Sequence, residues 1–155
     1  LEPVERHARA EGWRLARLDT PGAADADVIL VDRVGVLGDL YAIATAAYVG
    51  GGFHAAGLHS VLEPAAFALP VAFGPRHANA REAGLLVERG GAAVVPDARA
   101  LADRLGTWRR DRGVRSRAGA AARTFVEEGL GAAARAWTLV ASLLPDPPAD
   151  PGTRR

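Results

Sequence analysis

Val28-Ile29-Leu30-Val31-Asp32-Arg33-Val34-Gly35-Val36 is the stretch that decides the class of fold. Four consecutive apolar residues leave no polar face, so Val28 to Val31 is predicted to be a parallel strand covered on both sides. The strand ends in Asp32 and turns through Arg33 to Val36, and a helix is expected over Leu40 to Ala47. On the N-terminal side, Glu2 to Glu11 reads as a helix stopped by Gly12. Trp13 to Leu18 then reads as a short strand and Thr20 to Ala26 as a loop. On the C-terminal side, Tyr48-Val49 is a third strand running into Gly50-Gly51-Gly52-Phe53, and Ser60 to Leu69 is a helix stopped by Pro70. Val71 to Gly74 is a fourth strand, Asn79 to Arg89 a helix broken at Gly90-Gly91, and Ala92 to Val95 a fifth strand. The remainder to Leu144 reads as helical, with interruptions near Gly113 and Gly131.

Strand-length apolar runs alternating with helix-length stretches predict an α/β fold, a Rossmann-like parallel sheet with flanking helices. The 155 residues, 49% of them hydrophobic, suffice for one compact unit with an ordinary core. Residues 145–155 are proline-rich and expected to be disordered. With no cysteine, disulfides, thiolate metal sites and a cysteine nucleophile are excluded. The formal net charge is only +1, and all 19 basic residues are arginine; a GC-rich genome accounts for that better than nucleic-acid recognition does. No apolar run approaches the roughly 20 residues needed to span a bilayer. The chain begins at Leu1 and contains no methionine, which reads as a fragment of a longer protein.

Three turns follow predicted strands: Arg33 to Gly38, Gly50 to Ser60 and Gly74 to Glu82. In open parallel sheets ligands bind beyond the carboxyl ends of the strands, so one fold is expected to bring all three to a single rim. Gly50-Gly51-Gly52 permits either a tight turn or a close backbone approach to a ligand. Ser60-Val61-Leu62-Glu63 has two readings. It is a capping box, with Ser60 and Glu63 bonding each other's amides, or it is a helix start whose free amides face a phosphate while Glu63 accepts two ribose hydroxyls. His54 and His59 lack a third ligand at metal spacing, so no metal is expected; His59 either donates to the ligand or orders the loop. Arg76, His77, Asn79, Arg81 and Glu82 read as a solvated helix start. Arg104 to Arg123 reads as a solvated helical face, with attraction to anionic lipid as the sharper alternative.

Taken in order, the VILVD run, Gly35-Val36-Leu37 before Leu40-Tyr41, Tyr48 to Phe53, Gly57-Leu58-His59-Ser60-Val61-Leu62-Glu63-Pro64-Ala65-Ala66 and Pro70-Val71-Ala72-Phe73-Gly74-Pro75 resemble the Kdo transferases. These enzymes move 3-deoxy-D-manno-octulosonic acid (Kdo) from CMP-Kdo to a lipid A precursor in lipopolysaccharide biosynthesis. The resemblance covers residues 1–140, and its distinctive part lies in 28–90.

It implies the C-terminal, donor-binding half of a GT-B glycosyltransferase over residues 1–144, without the first strand of that domain. It also implies the following contacts to CMP. Val34, Gly35 and Val36 would bind through the backbone, with Gly51, Gly52 and Gly57 in the second turn, His59, Ser60, Val61, Leu62 and Glu63 at the helix start, and Asn79 and Glu82 as the polar pair after Gly74-Pro75. The family usually has asparagine where this chain has Ser60, and serine retains the capping oxygen.

No cofactor or metal is implied, and the general base belongs to an acceptor-binding domain outside this chain, so the chain alone is expected to be inactive. The lipid A precursor would be bound through that other domain, at the cytoplasmic face of the bacterial inner membrane. Two alternatives are a donor domain of the same architecture that uses UDP and a non-catalytic nucleotide-binding module.

Overall fold

The structure, a computed structural model, describes residues 2–143; the proline-rich tail lies outside the described residues. Where one compact unit is expected, the chain divides into two, the first ending at Leu40 and the second beginning at Tyr41.

In the first unit, helix α1 (Glu2–Ala10) is followed by strand β1 (Leu15–Arg17), a 3-10 turn (Ala23–Asp25) and strand β2 (Val28–Leu30). Gly12, at φ +71°, reverses the chain after α1, and the Trp13 amide donates to the Ala8 carbonyl at 2.9 Å. β1 and β2 pair in parallel, Leu15 opposite Val28. The two-sided burial expected of the VILVD run is not observed: Leu30 is buried, but Ile29 is 41% exposed. Two strands and one short helix offer too little apolar surface to cover both faces. Ion pairs tie this unit's surface. The Arg14 guanidinium grips Asp27 at 2.9 Å, Arg17 bridges Glu5 and Asp32, and Arg33 holds Asp19 at 2.7 Å.

Helix α2 (Leu37–Ile43) carries the chain into the second unit. It starts earlier than expected because the Leu40 amide bonds to the Val36 carbonyl, and it stops short of Ala47 because the Ala47 amide joins the sheet at Pro70 O (3.0 Å). Then come β3 (Ala47–Val49), α3 (Leu62–Ala66), β4 (Val71–Phe73), α4 (Arg81–Glu88), β5 (Ala92–Val94), α5 (Ala98–Arg110), α6 (Arg112–Gly129) and α7 (Ala132–Ala141). The three strands form a parallel sheet in the order β3-β4-β5, with Ala47 opposite Val71 and Val71 opposite Ala92.

β4 is central and wholly buried, as its unbroken apolar run requires. Val71 and Phe73 face one layer with Val61, Ala65, Leu86 and Ala122, while Ala72 faces the other with Val95 and Trp108. The small Ala72 makes room for the indole on that side. Burying a side chain such as Phe73 or Leu86 stabilises the unit by about 1.5–3 kcal/mol each.

Asp97 caps α5 through Ala100 N (2.8 Å), and Asp111 caps α6 through Val114 N (2.9 Å). The break expected near Gly113 therefore falls at Asp111, whose capping carboxylate starts a new helix with Gly113 inside it. Gly131, at φ +79°, marks the second interruption as expected.

Candidate functional site

β3 and β4 are neighbours, so the segments leaving their carboxyl ends, 50–61 and 74–80, start side by side. Their main chains are in contact. A Cβ on Gly52 would lie 2.6 Å from the Gly74 nitrogen, and one on Gly74 would lie 2.6 Å from the Gly52 carbonyl. The Arg76 amide donates to the Gly52 carbonyl at 2.8 Å. Within the first loop, the His54 amide bonds to Gly51 O (3.1 Å), the Gly57 amide to His54 O (3.2 Å) and the His59 amide to Gly50 O (3.2 Å). Gly51 takes φ +93° with the Gly57 carbonyl packed where a side chain would be. The sequence left a tight turn or a close approach to a ligand open for these glycines; what the structure shows is close approach to the neighbouring loop and within their own.

Asn79 joins the two loops. Its Oδ1 accepts from the Leu58 amide and its Nδ2 donates to the Leu58 carbonyl, both at 3.0 Å. A Cβ on Gly57 (φ +84°) would sit 2.5 Å from the Asn79 amide carbon, so that glycine is what admits the clip. Asn79 consequently lies before α4, which begins at Arg81 rather than at Asn79.

The helix after the first loop also differs from expectation: α3 begins at Leu62, is five residues long, and is preceded by Val61 with no side-chain cap. The capping box is absent. Leu58 and Val61 are buried in the core, and the His59 and Leu58 amides are already bonded, so 57–61 is pinned in a conformation from which Ser60 cannot reach back over the first turn. Ser60 and His59 are exposed, and Val61 is 2% exposed, leaving only its main chain for any ligand.

Glu63, released from capping, is exposed in the first turn of α3 and makes no hydrogen bond among the described residues. Tyr41 lies close to it. Burial first, and then the Glu63 charge, push the Tyr41 hydroxyl pKa above its ordinary value, and its ring meets Phe67 at 5.9 Å. Leu62 and Glu82 line a cavity of about 530 Å3 with Arg89, Phe125 and Leu130. Arg89 is held there by Glu128 at 2.6 Å. Tyr41 stands in the motif that carries the resemblance but was not expected at the site, and Phe125 to Leu130, at the end of α6, carry no local sequence signal and reach this region only through the fold.

Of the other expected residues, Val34, Gly35 and Val36 belong to the first unit, where Gly35 takes φ +88° and Val34 is 96% exposed. Among the described residues no three histidines or carboxylates gather so as to hold a metal ion, and no helix is long and apolar enough to cross a membrane.

Parallel strands, flanking helices and glycine-rich loops at the strand ends define the α/β class, a Rossmann-like parallel sheet with flanking helices. The particular resemblance read from the motifs is borne out. The chain is similar to the 3-deoxy-D-manno-octulosonic acid transferase of Aquifex aeolicus, 36% identical over 88 residues, which is 57% of this chain and 24% of that protein. It therefore spans about a quarter of the length of that relative. In fold it is similar to the C-terminal CMP-Kdo binding domain of WaaA from Acinetobacter baumannii, with a TM-score of 0.73 at 22% identity over 81% of this chain and 67% of that one. No family model matches the chain.

Proposed function

We propose that this chain is the donor-binding part of a GT-B Kdo transferase, holding CMP-Kdo while the sugar is passed to a lipid A precursor. The observation that carries this reading is the exposed Glu63 carboxylate, unpaired among the described residues, beside two loops locked together by Asn79 and the Gly52–Gly74 contact. A carboxylate in the first turn of a helix that follows a strand-end loop is the fitting acceptor for two ribose hydroxyls. Likeness to a Kdo transferase in sequence and to a CMP-Kdo binding domain in fold supports the same ligand.

In this reaction the acceptor hydroxyl oxygen bonds to the anomeric carbon as the carbon–oxygen bond to the phosphate breaks. The electron pair leaves with CMP, the configuration inverts, and the hydroxyl proton goes to a base outside this chain. The present residues act on the leaving group. Glu63 anchors the ribose, and main-chain donors of segment 57–61 meet the nucleotide, with no metal required. Binding energy from the nucleotide then places the reacting carbon. The lipid acceptor would put the enzyme at the cytoplasmic face of the inner membrane, where exposed Arg109, Arg110, Arg112 and Arg117 favour anionic lipid.

Calorimetric titration with CMP and UMP tests the donor assignment. CMP is expected to bind about tenfold or more tightly than UMP, because the pocket's polar groups pair fully with one base alone. Equal affinities, or preference for UMP, overturn it.

A further inference from the structure

Beside the clip lies a second cavity, of about 450 Å3, whose lining includes His54, Gly57, Pro75, Arg76 and Asn79. It opens between the segments that leave β3 and β4, and its volume falls within the roughly 300–1,000 Å3 common for small-molecule sites. Its charge is one-sided: an arginine and a histidine line it, and no aspartate or glutamate does. Arg76 is not consumed elsewhere. Several other arginines of the chain are paired, Arg14, Arg17, Arg33, Arg89 and Arg123 with carboxylates, while the Arg76 guanidinium has no carboxylate within ion-pair distance among the described residues.

The backbone beneath both side chains is fixed, Arg76 by its amide bond to Gly52 and His54 by the turn bonds to Gly51 and Gly57. The two side chains therefore project from anchored positions on adjacent loops, and an oxyanion placed between them meets donors that need little reorganisation.

We propose that the His54–Arg76 cavity is the site for an oxyanion of the nucleotide-sugar donor, either the carboxylate of the sugar acid or the phosphate. Neither residue belongs to the expected CMP contacts, and the inference rests on the nucleotide-sugar reading above. The guanidinium supplies paired donors to two oxygens of the group, and the imidazole supplies a third.

The test is calorimetric titration of the full chain and of Arg76→Gln with cytidine, CMP and CMP-Kdo, with circular dichroism melts to verify folding. Cytidine affinity is expected to be unchanged by the substitution. A loss of about tenfold or more, the size of a charge-assisted contact, is expected for the ligand bearing the oxyanion. A loss for CMP and CMP-Kdo alike assigns the phosphate; a loss for CMP-Kdo alone assigns the carboxylate; Arg76→Lys restores part of either. Unchanged affinity for both in a folded Arg76→Gln variant, with wild-type binding intact, overturns the cavity assignment and leaves the donor reading standing. Wild-type protein that binds none of the three overturns both. Should Arg76→Gln not fold, His54→Gln is read by the same criteria.

Discussion

Replacing Asn79 with alanine removes two hydrogen bonds of 3.0 Å from the junction of the two loops and leaves the Leu58 amide and carbonyl without those partners. A typical intramolecular hydrogen bond contributes about 0.5–1.5 kcal/mol net, so the pair is worth about 2 kcal/mol. Leu58 is 6% exposed, which places its orphaned main-chain groups where water reaches them poorly and moves the loss toward the upper end of that range. Urea unfolding is the assay: the midpoint should fall while the slope with denaturant stays constant, since the surface exposed on unfolding is unchanged. If the loop must be re-ordered when nucleotide binds, the same energy weakens CMP binding by up to about 30-fold. Asn79→Asp keeps the acceptor for the Leu58 amide but sets an oxygen against the Leu58 carbonyl, so it should recover only part of the loss. Stability within about 0.5 kcal/mol of wild type refutes the clip, because two part-buried bonds cannot vanish so cheaply. Unchanged stability with CMP binding lost would instead place Asn79 on the ligand.

Three other perturbations follow from the same geometry. Glu63→Gln should weaken CMP binding and abolish the preference for CMP over its 2′,3′-dideoxy analogue; an equal preference in the variant removes the ribose role. Gly52→Ala drives a methyl to 2.6 Å from the Gly74 nitrogen, so overpacking should destabilise the unit by about 1–3 kcal/mol or more in thermal melts. Gly50→Ala, which meets nothing within 4 Å, serves as the control. In the first unit, hydrogen bonds from the Arg14 side chain and amide hold the Asp27 pKa down from 3.8 to about 2. A depressed carboxylate stabilises the folded state above its unfolded pKa and stops doing so as pH falls through the folded value. Asp27 should therefore titrate near pH 2 by carbon NMR, with its contribution lost between about pH 4 and 2; a midpoint near 3.8 contradicts the pair.

The strands, their parallel class and the places where the chain turns were legible because they depend on near neighbours. An unbroken apolar run such as Val71-Ala72-Phe73 suits only a strand covered on both faces, and glycine clusters mark backbone that other residues resist. The same reasoning overstated the VILVD run, because composition says that a strand wants cover and not whether its own unit supplies it.

Segment 60–63 shows what local sequence cannot decide. A capping box and a ribose anchor use the same four residues, and the capping box is excluded by Leu58, Val61 and Asn79, whose packing pins the loop before Ser60 can cap. Asn79 lies 21 residues from its partner and Gly52 lies 22 from Gly74, so the role of each depends on a pairing that no window of neighbouring residues contains. The amino-acid order therefore determined the kinds of element and the chemistry present at their ends. Only the tertiary structure decided which donors and acceptors are satisfied within the protein and which, like the Glu63 and Arg76 side chains, have no partner among the described residues. The reason is that hydrogen-bond satisfaction is settled by contacts across the sheet rather than along the chain.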